Sequence, residues 1–174
     1  MLLTMPEAKI ANSDGVYMLD KSVCDTTAYQ VYQGQFKNEM AKIQYLVNIV
    51  RFSDLGFWRN GAVYTGDQAA QWLEYKIDKF PDDFNDVESF IENIASHSRK
   101  SGKQYYIVLE DGSRCLFKAL LYNEVRRLRG YTQNVTIHHS NLHLQQQVKC
   151  DDTAGGKMVS QPKGYAINEP MHIT

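Results

Sequence analysis

The residue best placed for chemistry is an arginine at the tip of an aromatic ribbon. Arg59 lies in Phe57-Trp58-Arg59-Asn60-Gly61-Ala62-Val63-Tyr64. Asn-Gly between two short apolar runs marks a two-residue hairpin, because both turn residues must take positive φ. In such a hairpin residue 59 pairs with 62, 58 with 63 and 57 with 64, and alternate side chains take opposite faces. Arg59 then shares a face with Phe57 and Tyr64, while Trp58 and Val63 share the other. A guanidinium beside two rings can clamp a carboxylate or phosphate. It can equally lie over a ring and hold the ribbon together. The binding reading takes Phe57, Arg59, Asn60 and Tyr64 as candidates.

Three other groups carry chemistry-bearing side chains. Ser96, Ser98 and Ser101 fall where a helix hands over to a strand; with Arg59 they could line a polar cleft for a peptide or glycan, or they could simply cap the helix and shape the loop. No histidine or carboxylate stands at a telling spacing from them, so no catalytic residue is assigned. His139 and His143, with His138, Cys150 and Asp151 nearby, could hold zinc if they lay on one helix face. Val135-Thr136-Ile137 and Leu142-His143-Leu144 read instead as strands, which would hold the two histidines about 13 Å apart. No metal site and no cofactor is assigned. The last group is an acidic run, Glu74, Asp78, Asp82, Asp83, Asp86, Glu88 and Glu92. It reads as a solvated face, with a docking surface for a basic partner as the functional alternative.

The elements that must position these groups are legible from periodicity. Ile43, Leu46, Val47 and Val50 make the apolar stripe of a helix over about 37–52. After the hairpin, Thr65 with Gln68 three residues on forms a capping box, opening a helix with Ala69, Trp72, Leu73, Ile77 and Phe80 inward and Pro81 just beyond. A third helix starts at Asn85 or Asp86 and buries Val87, Phe90, Ile91, Ile94 and Ala95. A second hairpin runs from Gln104 to Leu109 and back through Glu110-Asp111-Gly112-Ser113, with Cys115 opposite Val108 as an inert core thiol. The last helix spans Phe117 to Arg129, with Gly130 as its stop. Val16–Leu19 and Tyr29–Tyr32 look β-like. Helices and hairpins without βαβ alternation imply an α+β fold, a mainly helical domain of about four helices with two β-hairpins. The chain divides into an N-terminal extension (1–36), a core domain (37–130) and a polar C-terminal extension (131–174).

Composition narrows the function classes. With 43% hydrophobic and 22% charged residues, the 174-residue chain can build a core without metal or disulfides. A formal charge of −1 lacks the basic surplus of a nucleic-acid binder. No apolar run reaches the ~20 residues of a membrane helix. Of the three cysteines, Cys24 and Cys150 are the one pair that would join the terminal segments. The start lacks a basic and an apolar signal region, so the chain as written reads as cytoplasmic.

Phe57-x-Arg59-Asn60-Gly61, Ala69-Ala70-x-x-Leu73-x-x-Lys76 and Phe90-Ile91-x-x-Ile94-Ala95-Ser96-x-Ser98-x-x-Ser101-Gly102-x-x-Tyr105 together resemble the YfeK-like family of small, mostly exported bacterial proteins of unknown function. The resemblance covers about residues 39–129. It implies a shared fold and, as an alternative location, the periplasm; Trp72 stands where a histidine is common in that family. The expected function is a non-enzymatic binding, immunity or inhibitor-like role through a protein–protein contact. The alternative is a small hydrolase or sugar-processing enzyme with a site near Arg59 and the Ser96–Ser101 loop.

Overall fold

The computed structural model describes residues 9–141, and side chains through residue 133. Among these residues are five α-helices and a four-stranded antiparallel sheet, the third and fifth helices packing against the sheet. The helices are α1 (Thr27–Gln33), α2 (Glu39–Arg51), α3 (Gly66–Lys79), α4 (Val87–Phe90) and α5 (Phe117–Asn141). The strands are β1 (Gly56–Arg59), β2 (Ala62–Tyr64), β3 (Tyr106–Val108) and β4 (Arg114–Leu116), in spatial order β2-β1-β3-β4. This is the expected α+β class. The two hairpins join through β1 and β3 into one sheet.

The helix starts are set by side chains that satisfy the first free N–H groups. Thr26 accepts from the Tyr29 N–H, Asn38 from the Ala41 N–H and Asp86 from the Ser89 N–H. Thr65 and Gln68 form the reciprocal capping box. Directly after it, Gly66 lets α3 begin against the end of α2, where a Cβ would collide with the Val50 and Ser53 carbonyl oxygens. Leu46, Val47, Val50 and Leu73 of the predicted stripes are inaccessible, as are Val87, Phe90, Ile91, Ile94 and Ala95, whereas Trp72, Ile77 and Phe80 of the α3 stripe are only partly buried and Lys76 of that helix is buried instead. Beyond Phe90 the chain widens into a π-helical turn, Ile91–Ala95, which re-aims the following serine loop.

Several local expectations are corrected. Tyr29–Tyr32 is helical, within α1, because the Thr26 cap starts a helix whose Ala28, Tyr29 and Tyr32 face the core. Tyr29 meets Tyr131 edge-on and Tyr32 meets Tyr45. Val16–Leu19 forms bends with an isolated bridge at Val16, since side chains of α5 take its polar groups. Gly130 does not stop α5, which continues through Val135–Ile137 to Asn141: extending a formed helix fixes one residue per hydrogen bond, and that outweighs the β preference of a short run. Cys115 pairs with Ile107, and Val108 pairs with Arg114.

Residues 9–26 are tied to the rest by α5 and the sheet edge. Lys9–Ala11 hydrogen-bonds to Arg114 on both sides of Ile10. Asn123 donates to the Ser13 and Val16 carbonyls at 2.6 and 2.8 Å. The Met18 N–H donates to Glu124 at 2.8 Å. Arg127 donates to the Leu19 and Lys21 carbonyls and lies 4.5 Å from the Tyr17 ring centre. Val16, Met18 and Val23 join the main core. Cys24 is disulfide-bonded; its expected partner, Cys150, lies outside the described residues, as does His143. Cys115 is free and buried, and burial raises its thiol pKa.

Candidate functional site

The Asn-Gly turn forms as its residue types require, with φ of 51° at Asn60 and 93° at Gly61. The pairs 57/64, 58/63 and 59/62 follow. Strand alternation then sorts the side chains. Phe57, Arg59 and Tyr64 face the helices; Trp58 and Val63 face away.

On the inward face, Phe57 is buried and meets Phe117 edge-on at 5.5 Å, and Tyr64 packs partly buried against the core. Arg59 lies over Trp72 of α3, 4.4 Å from the ring centre, and 5.9 Å from that of Tyr105. Lys76, one turn along α3, lies 4.4 Å from the same Trp72 ring centre and 5.7 Å from that of Tyr105. Its ammonium donates to the Ile94 and His97 carbonyls, where the π-helical turn leaves acceptors free. Burial, with Arg59 and then Arg99 nearby, lowers the Lys76 pKa to about 7. Burial raises the Tyr105 pKa, partly offset by the nearby Arg59 charge. Two basic side chains thus share one aromatic pair. The cavity beside them, among Phe57, Arg59, Trp72 and Tyr105, holds about 20 Å³, room for about one water.

The structure does bring the serine loop to the hairpin tip. Ser101 Oγ donates to Asn60 Oδ1 at 3.5 Å, a long and weak bond. Ser98 is buried and organises the loop: its N–H donates to the Lys103 carbonyl, its carbonyl accepts from Gly102, and its Oγ accepts from the Ser101 N–H. Ser96 Oγ donates to the Glu92 carbonyl at 2.7 Å and lies 2.8 Å from His97 Nδ1. Its one proton is committed to the carbonyl, so the hydroxyl accepts from His97, the reverse of nucleophile activation.

The outward face of the sheet is different in kind. The register aligns Val63, Trp58, Tyr106 and Leu116 in one row across all four strands. None of the four is fully buried, and Leu116 is 36% exposed. Trp58 and Tyr106 meet edge-on at 5.7 Å, and Arg114 stacks over Trp58 at 4.2 Å from the ring centre. Ile10, bridged in parallel to Arg114 in the neighbouring register row, adds an apolar side chain past β4 and is 56% exposed.

Residues 37–129 match the model of DUF5329, a family of unknown function. The match spans more than half of the chain, from the start of α2 to the middle of α5. The chain belongs to this family. The family name shown is DUF5329, and nothing in the match supports the YfeK-like one. No curated protein and no solved structure matches the chain.

The DUF5329 stretch contains both sheet faces, the Arg59–Lys76 cluster and the serine loop, whereas residues 9–26 lie before it. Phe57, Arg59, Asn60, Tyr64, Ser96, Ser98 and Ser101 therefore all fall within the DUF5329 match, gathered around one end of the sheet. The outward row was the feature that sequence reasoning about function passed over. A signal for it existed: Phe57-Trp58 and Tyr105-Tyr106 place aromatic residues on both faces of their strands, and a strand with one solvated face would carry polar residues on that side.

Proposed function

We propose that this protein is a non-enzymatic accessory protein of the immunity or inhibitor type, acting by protein–protein contact through the outward face of its sheet. The supporting observation is the continuous row Val63–Trp58–Tyr106–Leu116 with Arg114 stacked on Trp58. Tryptophan, tyrosine and arginine are the residue types that dominate binding energy at interfaces. A row on four hydrogen-bonded strands is rigid before binding, so little ordering entropy is lost on contact. The Arg114 guanidinium is fixed in position by the indole, with N–H edges left to meet a carboxylate. The partner this face fits presents an apolar patch with an acidic residue beside it. A hydrolase or sugar-processing role near Arg59 finds less support, since a cavity of about 20 Å³ cannot admit a sugar ring.

A photo-reactive residue installed at Leu116 tests the reading in the native cell, with Lys79 on α3 as the control position. Crosslinking from 116 but not 79 to one protein, followed by reconstitution with that protein purified, is the expected result. Trp58→Ala should then weaken the reconstituted complex by about 2 kcal/mol or more, roughly thirtyfold. Equal labelling from both positions, or an unchanged affinity in a folded Trp58→Ala variant, would overturn the proposal.

A further inference from the structure

A second surface, remote from the sheet, fits a different occupant. Between α2, α3 and the turn Pro81–Asp83 lies an open groove of about 420 Å³. Ile43, Ile77 and Phe84 form its apolar floor, and Met40, 48% exposed, stands at its edge. Glu39 and Asp78 lie along the rim.

The segment that lines this side is rich in carboxylates. From Glu74 to Glu92 the chain carries seven carboxylates and two lysines, Lys76 and Lys79, and Lys76 is buried. Most of these carboxylates have internal work. Glu74 pairs with Arg51, Asp83 with Arg99, Glu88 with Arg129 and Glu92 with Lys118, and Asp86 caps α4. Glu39 on the rim is occupied by Lys42 and the Val87 N–H. Asp78 and Asp82 are exposed and take part in none of the ion pairs among the described residues. They stand at the groove mouth and on the adjoining turn. A groove with an apolar floor and free carboxylates beside it selects a ligand of matching pattern.

We infer that this groove binds a basic segment of a partner protein, one apolar side chain entering between Ile43, Ile77 and Phe84 while a flanking lysine or arginine meets Asp78 and Asp82. The apolar anchor supplies affinity through burial, and the flanking cation supplies direction and rejects acidic segments. This site is independent of the sheet face, so either can exist without the other.

Selection of random 12-residue peptides displayed on phage against the immobilised full chain tests the groove directly, whatever protein carries the segment in the cell. Enriched peptides should share an apolar residue next to lysine or arginine. Synthetic copies should bind at least tenfold more weakly to Met40→Glu and to Asp78→Lys, both exposed changes compatible with folding, and more weakly as salt rises. Trp58→Ala should leave them unaffected. Four results would each overturn the inference: no enrichment; enriched peptides without basic residues; binding unchanged in both groove variants; or self-association of the chain that Met40→Glu abolishes.

Discussion

Glu124 offers the sharpest test of the packing. Its carboxyl is fully buried on α5, with one oxygen accepting the Met18 N–H at 2.8 Å and the other 4.0 Å from Arg127. Burial raises its pKa from 4.5 to about 7, outweighing the hydrogen bond from Met18 and the attraction of Arg127. The unfolded chain loses this proton near pH 4.5 and the folded chain near 7. Between those values the folded state holds more protons, so stability falls as pH rises and then levels off above about 7. At 1.36 kcal/mol per unit the shift corresponds to about 3 kcal/mol. Glu124→Gln keeps a carbonyl oxygen for Met18 and cannot ionise. It should match the wild type near pH 4.5 and exceed it by about 2–4 kcal/mol at pH 8, some 5–10 °C in Tm for a chain of this size. Urea unfolding of both proteins at several pH values between 4.5 and 8 gives the difference directly, and other titrating groups cancel in it. A difference that does not change with pH, or a less stable glutamine variant at pH 8, would refute the assignment of a buried carboxyl at a strained protonation balance.

Three further outcomes probe the local geometry. Gly66→Ala sets a methyl group against the Val50 and Ser53 carbonyl oxygens, and since backbone cannot yield as a side chain can, the loss should reach about 2 kcal/mol or more in chemical denaturation. Gly61→Val must adopt the φ of 93° with a β-branched side chain, although nothing lies within 4 Å of its Cβ; a loss of at least ~1 kcal/mol without repacking of the core is expected, read by unfolding and by unchanged core methyl NMR shifts. Arg59→Ala removes the cation over Trp72 and should lower stability by about 1 kcal/mol, measured by thermal unfolding, while leaving binding at the outward sheet face intact.

The central fold was legible because its signals are local. The Thr65–Gln68 box, the Asp86 cap, the Asn60-Gly61 turn and the 3.6-residue stripe of α2 each depend on neighbours a few residues away, and each forms as read, while the face from Val87 to Ala95 is buried as expected although Ile91–Ala95 is π-helical. The misread segments depend on distant partners. Val16–Leu19 has no periodic pattern of its own; its shape comes from Asn123, Glu124 and Arg127 more than 100 residues away. Tyr29–Tyr32 has strand-favouring residues, and the Thr26 cap together with the Tyr45 and Tyr131 rings draws it into a helix. The pairing of β1 with β3 is equally non-local, since neither hairpin encodes which edge of the other it will meet.

The candidate site shows the same division at finer scale. That Arg59 shares a face with Phe57 and Tyr64 follows from the turn alone. Which face is covered does not, because that depends on where α3 and α5 pack. Once Trp72 is placed beneath the ribbon, Arg59 becomes a cation held between aromatic rings. The same packing leaves Trp58 and Tyr106 on the opposite face, with Arg114 as their cation. The ribbon thus carries two arginine–aromatic pairs that are alike in chemistry and opposite in surroundings. The inner pair shares its rings with a second basic side chain, buried Lys76, and adjoins a cavity too small for a ligand. In the outer pair, Arg114 lies over an indole on the sheet's far side, with exposed Leu116 at the end of the indole's row and exposed Ile10 bridged to Arg114 itself. If an arginine anchor on this protein meets a partner, Arg114 is better placed than Arg59, since binding through Arg59 would first have to break the contacts that hold β1 to α3.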